Sequence, residues 1–281
     1  MASPYIGITG FNELSQVSSV ARHIQSYPVG YVMFGFTSSN KRLLDPTSEG
    51  KTSPSLDSMP ALVRGVPTHH LPMIHYYTPS PETVAEEVIA LFKHCGFDGQ
   101  YPLPGVQLNL EWPDIAQLDA MRSALGQDFK ITMQLPKKAL ELSDYDIVNS
   151  LESYDGIVTY VLIDPSGGLG LDFDIPRASK LMVQIQEATD IMPGVAGGFS
   201  SSNVEDRINK IRLASRCDCA GNSSCMAPRL TNFCIDAQGK LRTARTRPAV
   251  YPKDAPSINS SVLSTELANS YIDNALKAFC G

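Results

Sequence analysis

The sequence lacks the long apolar segments of membrane proteins and the leader of secreted ones. No apolar run approaches the roughly 20 residues that a helix needs to cross a bilayer. Residues Met1 to Tyr5 carry no basic segment followed by a long apolar one, which a secretory leader would have. We therefore expect a cytoplasmic protein with no cleaved leader and no membrane partner.

Positive charge is also scarce. The chain has 23 Lys and Arg against 29 Asp and Glu, a formal net charge of -6. Nucleic-acid-binding proteins concentrate positive charge, so we expect no nucleic-acid partner. The one basic cluster is predicted to be a solvated loop, because it has no interleaved aromatic residues for bases to stack on. It consists of Lys240, Arg242, Arg245 and Arg247.

Cysteine is sparse and unevenly placed. Three of the six cysteines, Cys217, Cys219 and Cys225, lie close together. A metal site would need a fourth ligand, and no histidine lies nearby in the sequence. A disulfide is an open alternative, although it fits a secreted protein better. We favour a loop with reduced thiols over either alternative.

The rest of the composition is that of an ordinary globular protein: 281 residues, 43% hydrophobic and 19% charged. Short β-branched or aromatic segments alternate with amphipathic ones, which is typical of repeated β–α units. Eight strands are expected, at Tyr5–Ile8, Tyr31–Phe36, Met73–Tyr77, Val106–Leu110, Lys130–Gln134, Gly156–Ile163, Gly194–Ala196 and Asn232–Ile235. The sequence therefore predicts an α/β fold, a single (β/α)8 barrel that spans residues 1–281.

Helices and loops complete this prediction. Helices are expected at Asn12–Ser26, Ser80–Cys95, Asp114–Leu125, Ile175–Thr189, Ser202–Leu213 and Ser264–Phe279. Ser202 and Glu205 have the spacing of a capping box. Three stretches rich in Pro, Ser, Gly and charge are predicted as inserted loops, Ser38–His70, Arg216–Leu230 and Gln238–Ile258.

A glycine pair after the seventh predicted strand is the strongest candidate for a binding site. Gly197 and Gly198 follow the strand and precede a polar helix start. Phosphate needs unhindered backbone N–H groups, and a helix N-terminus adds favourable partial charge. The alternative is a tight turn that merely needs glycine.

Polar residues also end two other predicted strands, where a barrel places its chemistry. Asp164 follows an apolar strand, and burial there would raise its pKa and let it act as an acid; a local turn is the alternative. Gln107, Asn109 and Glu111 alternate with apolar residues, which places them on one face. We expect Glu111 to meet a ligand, whereas Gln107 could instead bridge core layers.

Two further residues, Arg42 and Thr9, are weaker candidates. Arg42 suits carboxylate recognition, with a solvated surface charge as the alternative. Thr9 ends the first strand and is expected to face the barrel mouth. The histidines around the third strand, His69, His70 and His75, lack carboxylates at ligand spacing, so we expect each to be hydrogen-bonded within the fold or to pack there.

Taken in order, several of these segments resemble phosphoribosylanthranilate isomerase, from the first strand to about residue 210. The segments are Ile6–Gly10, Ser38–Arg42, Thr78–Val84, Val106–Leu110, Asp164–Gly170 and Val195–Val204. The resemblance implies a barrel of the ribulose-phosphate-binding type. It also implies an Amadori rearrangement of an aminoaldose phosphate to an aminoketose phosphate, without metal or organic cofactor.

The resemblance also implies roles for individual residues. Asp164 would be the general acid, Arg42 would meet a substrate carboxylate, and Gly197 with Gly198 would hold phosphate. The segment Cys234–Gly239 is similar to the second phosphate loop of the family. Gly239 would therefore also hold phosphate. The remaining substrate contacts would come from Thr9, Gln107, Asn109, Gly168 and Gly170.

The sequence departs from the family where the general base is expected. The family has a cysteine in the first-strand motif, and this chain has Thr9, whose hydroxyl is a poor base. Glu111 and Asp236 are the candidates to replace it. The family's His-Gly in the fourth strand is Asn109-Leu110 here. The family's Gly-Gly-Thr-Gly in the sixth-strand loop is Gly-Gly-Leu-Gly.

Three functional hypotheses follow. The first is an isomerase acting on a phosphorylated, ribose-derived metabolite. The second is a non-catalytic barrel that binds such a metabolite as a sensor or scaffold, having lost the base. The third is a hydrolase or lyase that reuses the barrel. We expect a small phosphorylated metabolite as partner and a monomer or homodimer.

Overall fold

Eight parallel strands close into a barrel in which each strand pairs with the next and β8 pairs with β1. The computed structural model describes residues 2–25, 31–47, 53–97, 103–165, 172–216, 230, 232–244 and 261–280. The strands are β1 (Tyr5–Thr9), β2 (Tyr31–Ser39), β3 (Leu71–Tyr77), β4 (Gly105–Leu108), β5 (Ile131–Pro136), β6 (Tyr160–Asp164), β7 (Met192–Ala196) and β8 (Cys234–Ala237). The predicted (β/α)8 barrel is confirmed.

Helices alternate with these strands along the chain. They are α1 (Leu14–Ile24), α2 (Asn40–Leu44), α3 (Met59–Arg64), α4 (Val84–His94), α5 (Ile115–Leu125), α6 (Asp144–Glu152), α7 (Ile175–Ala188), α8 (Val204–Ala214) and α9 (Thr265–Cys280). Two short strands, β9 (Arg242–Ala244) and β10 (Ser261–Leu263), pair in antiparallel fashion beside the barrel. Among the described residues, no helix is both long and apolar enough to cross a membrane.

Apolar side chains fill the barrel at the N-terminal ends of its strands. This floor is a cluster of buried residues that includes Tyr5, Met33, Met73, Tyr160 and Cys234. A much larger apolar cluster includes residues of both the strands and the helices. Polar interior side chains are thereby concentrated at the carboxyl ends of the strands, where barrels of this type hold their active sites.

Each predicted strand differs from the observed one at one or both ends, and β4 and β6 illustrate the difference. β4 stops at Leu108 rather than Leu110, and the chain turns soon afterwards at Trp112, whose φ is 47°. β6 begins at Tyr160 rather than Gly156, whose φ of 77° belongs to a turn. Leu110, after β4, and Val158, before β6, are also buried, so buried apolar residues extend beyond the ends of these strands.

The predicted loop Ser38–His70 is wrong in part. It contains the end of β2 and both α2 and α3, whose short lengths give too few turns for a clear helical period. Within Gln238–Ile258, a 3-10 turn (Gly239–Leu241) and β9 are formed. Of Arg216–Leu230 only the two end residues are described, so the Cys217–Cys225 segment lies outside the described residues.

Two helix predictions also need correction. α6 was not expected from the sequence, although its buried residues Ile147 and Leu151 have helical spacing and the Ser143 side chain caps its N-terminus. α8 begins at Val204, and no capping box forms between Ser202 and Glu205. Instead, the Asn203 side chain accepts a hydrogen bond from the Ser200 N–H at 2.8 Å. The closing helix α9 is confirmed, with the Ser264 hydroxyl accepting from the Leu267 N–H at 3.3 Å.

Candidate active site

Two buried carboxyl groups lie at the carboxyl end of the barrel. Asp164 ends β6 and is 4% exposed, and Asp236 lies in β8 and is 7% exposed. Both line the same cleft, which has two parts. One part, the glycine pocket, is also lined by Gly197, Gly198 and Gly239. The other part, the amide pocket, is lined by residues in or just after β2 to β6 as well as by both carboxyls; these residues include Ser38, His75, Tyr77, Gln107, Asn109 and Gln134.

A row of hydrogen bonds across three neighbouring strands fixes Asp164. Gln134 in β5 donates from Nε2 to Asp164 Oδ2 at 2.7 Å. Gln107 in β4 donates from Nε2 to Gln134 Oε1 at 3.3 Å. All three residues are buried, so each bond satisfies a polar group that would otherwise be costly. The row therefore orients one oxygen of the Asp164 carboxyl.

A second set of hydrogen bonds fixes Asp236. The Thr9 hydroxyl lies 3.0 and 3.1 Å from the two Asp236 carboxyl oxygens and 3.3 Å from His75 Nε2. When its single proton is donated to Asp236, Thr9 can only accept from His75, which then carries a proton on Nε2. Burial lowers the pKa of His75 to about 3, which keeps the ring neutral at physiological pH. Gly35 leaves room here, because a Cβ would lie 2.5 Å from the Thr9 hydroxyl oxygen.

Asp236 has a pKa suited to proton transfer. The pKa of this carboxyl is raised to about 7, chiefly by burial and in smaller part by the negative charge of Asp164. The hydrogen bonds from Thr9 and from the Ala237 backbone act in the opposite direction. A general acid or base works best when its pKa lies near the operating pH. Asp236 thus has the protonation behaviour of an acid–base catalyst.

The glycine turn after β7 is held by side chains behind it. Arg207 Nη1 donates to the Gly197 carbonyl and Asn203 Nδ2 to the Gly198 carbonyl, each at 2.9 Å. Gly198 has a φ of 63°, and a Cβ there would lie 2.5 Å from Asp172 Oδ1. Across the pocket, Gly239 begins a 3-10 turn, next to the exposed Lys240. A fixed glycine turn beside a helix N-terminus and a lysine can hold an anion.

Comparison with solved structures finds phosphoribosylanthranilate isomerases. The enzyme from Thermus thermophilus is 14% identical with a TM-score of 0.56, and the match covers 97% of this chain and 98% of that one. The enzyme from Thermotoga maritima and TrpF from Jonesia denitrificans are also 14% identical, each with a TM-score of 0.57, and at least 98% of each chain is covered. The chain shares the fold of these isomerases.

The same comparison shows that this barrel also occurs in a different enzyme. The carboxyl transferase domain of Rhizobium etli pyruvate carboxylase matches with a TM-score of 0.52 at 13% identity, covering 84% of this chain and 40% of that one. No protein-family model matches the sequence, and the search of curated proteins found no match. Because one fold supports several chemistries, function must be argued from the cleft.

Most of the site residues predicted from the sequence come together in this cleft. Asp164 and Asp236 line both of its parts. Gln107 and Asn109 line the amide pocket. The three glycines predicted to hold phosphate line the glycine pocket; they are Gly197, Gly198 and Gly239. Gly168 and Gly170 lie outside the described residues.

Three other predicted site residues have different surroundings. Glu111 lies beyond the end of β4, where Lys138 Nζ contacts its carboxylate at 3.0 Å, and it lines neither pocket. Arg42 is half-buried in α2 and also lines neither pocket. Thr9 is 1% exposed and contacts Asp236 and His75. Of the two candidate bases, only Asp236 faces the cleft.

Sequence reasoning missed Gln134, and it predicted a hydrogen-bonded or packing role for His75 without naming its partner, Thr9. Gln134 ends a predicted strand on the same face as Thr132, so its inward orientation follows from strand alternation. The roles of both side chains depend on neighbours in other strands, which the sequence does not reveal. Among the described residues, no group of three or more His, Cys, Asp or Glu side chains is placed to hold a metal ion.

One cysteine does lie beside the first strand, although not at the cleft. The Tyr5 N–H donates to Cys234 Sγ at 3.4 Å, in the floor of the barrel. Burial raises the pKa of this thiol far above its ordinary value, so it stays protonated and unreactive. Cys234 therefore does not replace the cysteine that the resemblance places in the first-strand motif.

Proposed function

We propose that this protein is an isomerase that converts a phosphorylated aminoaldose, derived from ribose, into the corresponding aminoketose. The observation that carries the proposal is that two buried carboxyls and a fixed glycine turn line one cleft. The two carboxyls supply acid–base groups for the sugar, and the glycine turn supplies a binding site for its phosphate. The shared fold with phosphoribosylanthranilate isomerases is consistent with this assignment.

The proposed reaction needs one proton donor and one proton acceptor. Asp164 protonates the ring oxygen as the bond from C1 to that oxygen breaks and a C1–nitrogen double bond forms. Asp236 then removes the proton from C2, which gives an enolamine. Return of a proton to C1 and loss of the C2 hydroxyl proton yield the ketose, so protons balance over the cycle.

Between them, the two carboxyls must hold one proton in the active form. The hydrogen bonds from Thr9 stabilise an ionised Asp236, which suits a base. The negative charge of Asp164 is one cause of the raised pKa of Asp236, so protonation of Asp164 would favour the ionised form of Asp236. The pair replaces the cysteine base of the resembling family.

Turnover of two fluorescent substrates tests this proposal. One is phosphoribosylanthranilate, and the other carries a carboxamide in place of its carboxylate. The decrease in arylamine fluorescence is followed with the wild type and with Asp164→Asn, Asp236→Asn and Glu111→Gln. We expect both aspartate variants to lose at least about 100-fold in rate, the usual effect of removing a general acid or base. Glu111→Gln is the matched control and should retain turnover.

The other hypotheses predict different outcomes. Saturable binding of both compounds without turnover would favour the sensor or scaffold. Absence of binding by either compound, and by ribose 5-phosphate, would refute a phosphosugar site altogether. Turnover that persists in both aspartate variants would refute the proposed catalytic pair.

A further inference from the structure

Three side chains inside the barrel form a continuous hydrogen-bonded chain across the eighth, first and third strands. The Thr9 hydroxyl oxygen lies 3.0 Å from Asp236 Oδ1 on one side and 3.3 Å from His75 Nε2 on the other. Gly35 pairs with Thr9 in the neighbouring strand, and a Cβ on it would lie 2.5 Å from the Thr9 oxygen and 2.9 Å from His75 Nε2. The sequence thus has glycine at a position where any side chain would separate Thr9 from His75.

The His75 end of this chain opens into the cleft. His75 is partly exposed and lines the amide pocket. Its Nε2 contacts Thr9, whereas Nδ1 makes no hydrogen bond with the described residues and is not among the buried polar atoms without a partner. Nδ1 is therefore the ring nitrogen that a ligand in the cleft can reach.

The protonation state of Asp236 sets the direction of every hydrogen bond in the chain. An ionised Asp236 only accepts, so Thr9 donates to it and accepts from the His75 Nε2–H, which leaves Nδ1 as an acceptor. A protonated Asp236 donates to Thr9, Thr9 donates to Nε2, and the ring proton lies on Nδ1. All three side chains keep their hydrogen bonds in both states, because only protons move.

The surrounding groups preserve this link. Burial lowers the pKa of His75 to about 3, so the ring stays neutral, and a proton that reaches one nitrogen displaces the proton on the other. The remaining titratable groups that interact with Asp236 are the carboxyl of Asp164 and three groups whose pKa is raised by burial, which keeps them protonated: Tyr5, Cys234 and Tyr271.

We propose that Asp236, Thr9 and His75 form a proton relay whose substrate-facing end is His75 Nδ1. This nitrogen accepts a proton from a substrate hydroxyl when Asp236 is ionised, and it donates one when Asp236 is protonated. The relay gives Asp236 a second point of proton exchange with the ligand, on the far side of Thr9.

The step assigned to the relay rests on the proposed function. Asp236 returns its proton to C1 of the enolamine, which uses the electron pair of the C1–C2 double bond, and is ionised again. The C2 hydroxyl proton then moves to Nδ1, the Nε2 proton to Thr9 and the Thr9 proton to Asp236. The electron pair of the broken O–H bond completes the C2 carbonyl. The two carboxyls still hold one proton, which exchange with water returns to Asp164.

Nitrogen-15 NMR of the histidine rings in the full-length protein tests the relay without substrate, because a protonated and a bare ring nitrogen differ widely in chemical shift. Near pH 5.5 we expect the Nδ1–H form of His75 to exceed the Nε2–H form at least about fivefold, and near pH 8.5 the reverse. The crossover should lie near pH 7, because the pKa of Asp236 is about 7.

Variants and an internal control identify the cause of this change. Thr9→Val and Asp236→Asn should each give a His75 tautomer that does not depend on pH, whereas Thr9→Ser should keep the change. His70 is the internal control, because its Nδ1 accepts from the Val32 N–H at 3.2 Å and its proton must stay on Nε2. Its pKa is about 4, so this ring is also neutral over the measured range.

Turnover tests the step assigned to His75. His75→Gln keeps a donor for Thr9 but has no ring to pass a proton through, so kcat should fall at least about tenfold while KM changes little. His69→Gln makes the same change at an exposed position and should keep the wild-type kcat. A wild-type kcat in His75→Gln would overturn the role of His75 in the reaction.

The outcomes also separate this inference from the proposed function. A His75 tautomer that is the same at both pH values in wild type, or that still changes with pH in Thr9→Val, would overturn the relay, and turnover of the substrates would then leave the isomerase standing. A tautomer that follows Asp236 in a protein without turnover would support the relay and refute the isomerase.

Discussion

At the scale of single residues, the environment of Asp236 decides what the cleft can do. Its carboxyl is buried in the barrel, and the Thr9 hydroxyl is its nearest stabilising partner. Burial and the nearby Asp164 favour the protonated form, whereas Thr9 favours the ionised form. The pKa of about 7 reflects this competition, so single substitutions should move it in predictable directions.

Thr9→Val removes the hydroxyl but keeps a similar shape. The ionised form of Asp236 then loses its hydrogen bonds, and we expect its pKa to rise by about one unit. Thr9→Ser keeps the hydroxyl and should leave the pKa near 7. Carbon-13 NMR of the Asp236 carboxyl measures both values. A pKa that is unchanged or lowered in Thr9→Val would show that Thr9 does not stabilise the carboxylate.

Asp236→Asn should stabilise the fold in a pH-dependent way. Because the folded state raises the pKa of Asp236 from 3.8 to about 7, the folded protein is penalised once pH rises through this range. Asparagine removes that penalty. We expect the free energy of unfolding of the variant to exceed that of wild type by up to about 4 kcal/mol at pH 8, and by little at pH 4. Urea denaturation at both pH values checks this, and an equal difference at both would contradict it.

At the scale of elements, alternation in the strands predicted much of the cleft. The inward positions of Gln107 and Asn109 and the strand-end positions of Asp164 and Gly197 could be predicted from the sequence, because parallel strands of a barrel end at one rim. Glu111 was expected on the same face as Gln107, but β4 ends first. The pairing of Thr9 with Asp236 joins the first and last strands, and only the closed barrel reveals it.

The glycine turn after β7 gives a prediction at this scale. Gly198→Ala places a side chain at positive φ and against Asp172, so we expect a loss of about 1–2 kcal/mol in stability. Ribose 5-phosphate binding should weaken at least about tenfold as the turn shifts. Gly156→Ala is the matched control, since its φ is also positive, at 77°, but nothing lies near its Cβ and it is not in the cleft. Similar binding by both variants would exclude the turn from phosphate binding.

At the scale of the whole molecule, the barrel separates an apolar floor from a polar upper interior. The eight-strand architecture was predictable, because few other folds bury continuous apolar strands that alternate with amphipathic helices. The short helices α2 and α3 and the hydrogen-bonded network around His75 were not predictable, because they depend on contacts between distant segments. This polar interior makes global stability sensitive to acid.

His75 supplies a prediction for global stability. The pKa of His75 falls from 6.5 in the unfolded chain to about 3 in the fold. Protonation therefore favours the unfolded chain, so the fold has its full stability above pH 6.5 and loses stability as pH falls towards 3. His75→Gln keeps a donor for Thr9 but does not titrate. Between pH 7 and pH 4 we expect the variant to lose roughly 2 kcal/mol less stability than wild type. His69→Gln, at an exposed position, should behave like wild type; equal acid sensitivity of all three proteins would contradict the assignment.

The dependence of kcat/KM on pH tests the proposed carboxyl pair most directly. It is measured for the carboxamide substrate from pH 5 to pH 9 with wild type and Asp236→Asn. Because the active pair holds one proton and the pKa of Asp236 is about 7, we predict that wild-type kcat/KM falls about tenfold per pH unit above pH 7. Asp236→Asn should be at least about 100-fold slower than wild type near pH 7. A wild-type rate that is flat or rising from pH 7 to 9, or turnover by Asp236→Asn close to the wild-type rate at pH 7, would contradict the proposed mechanism.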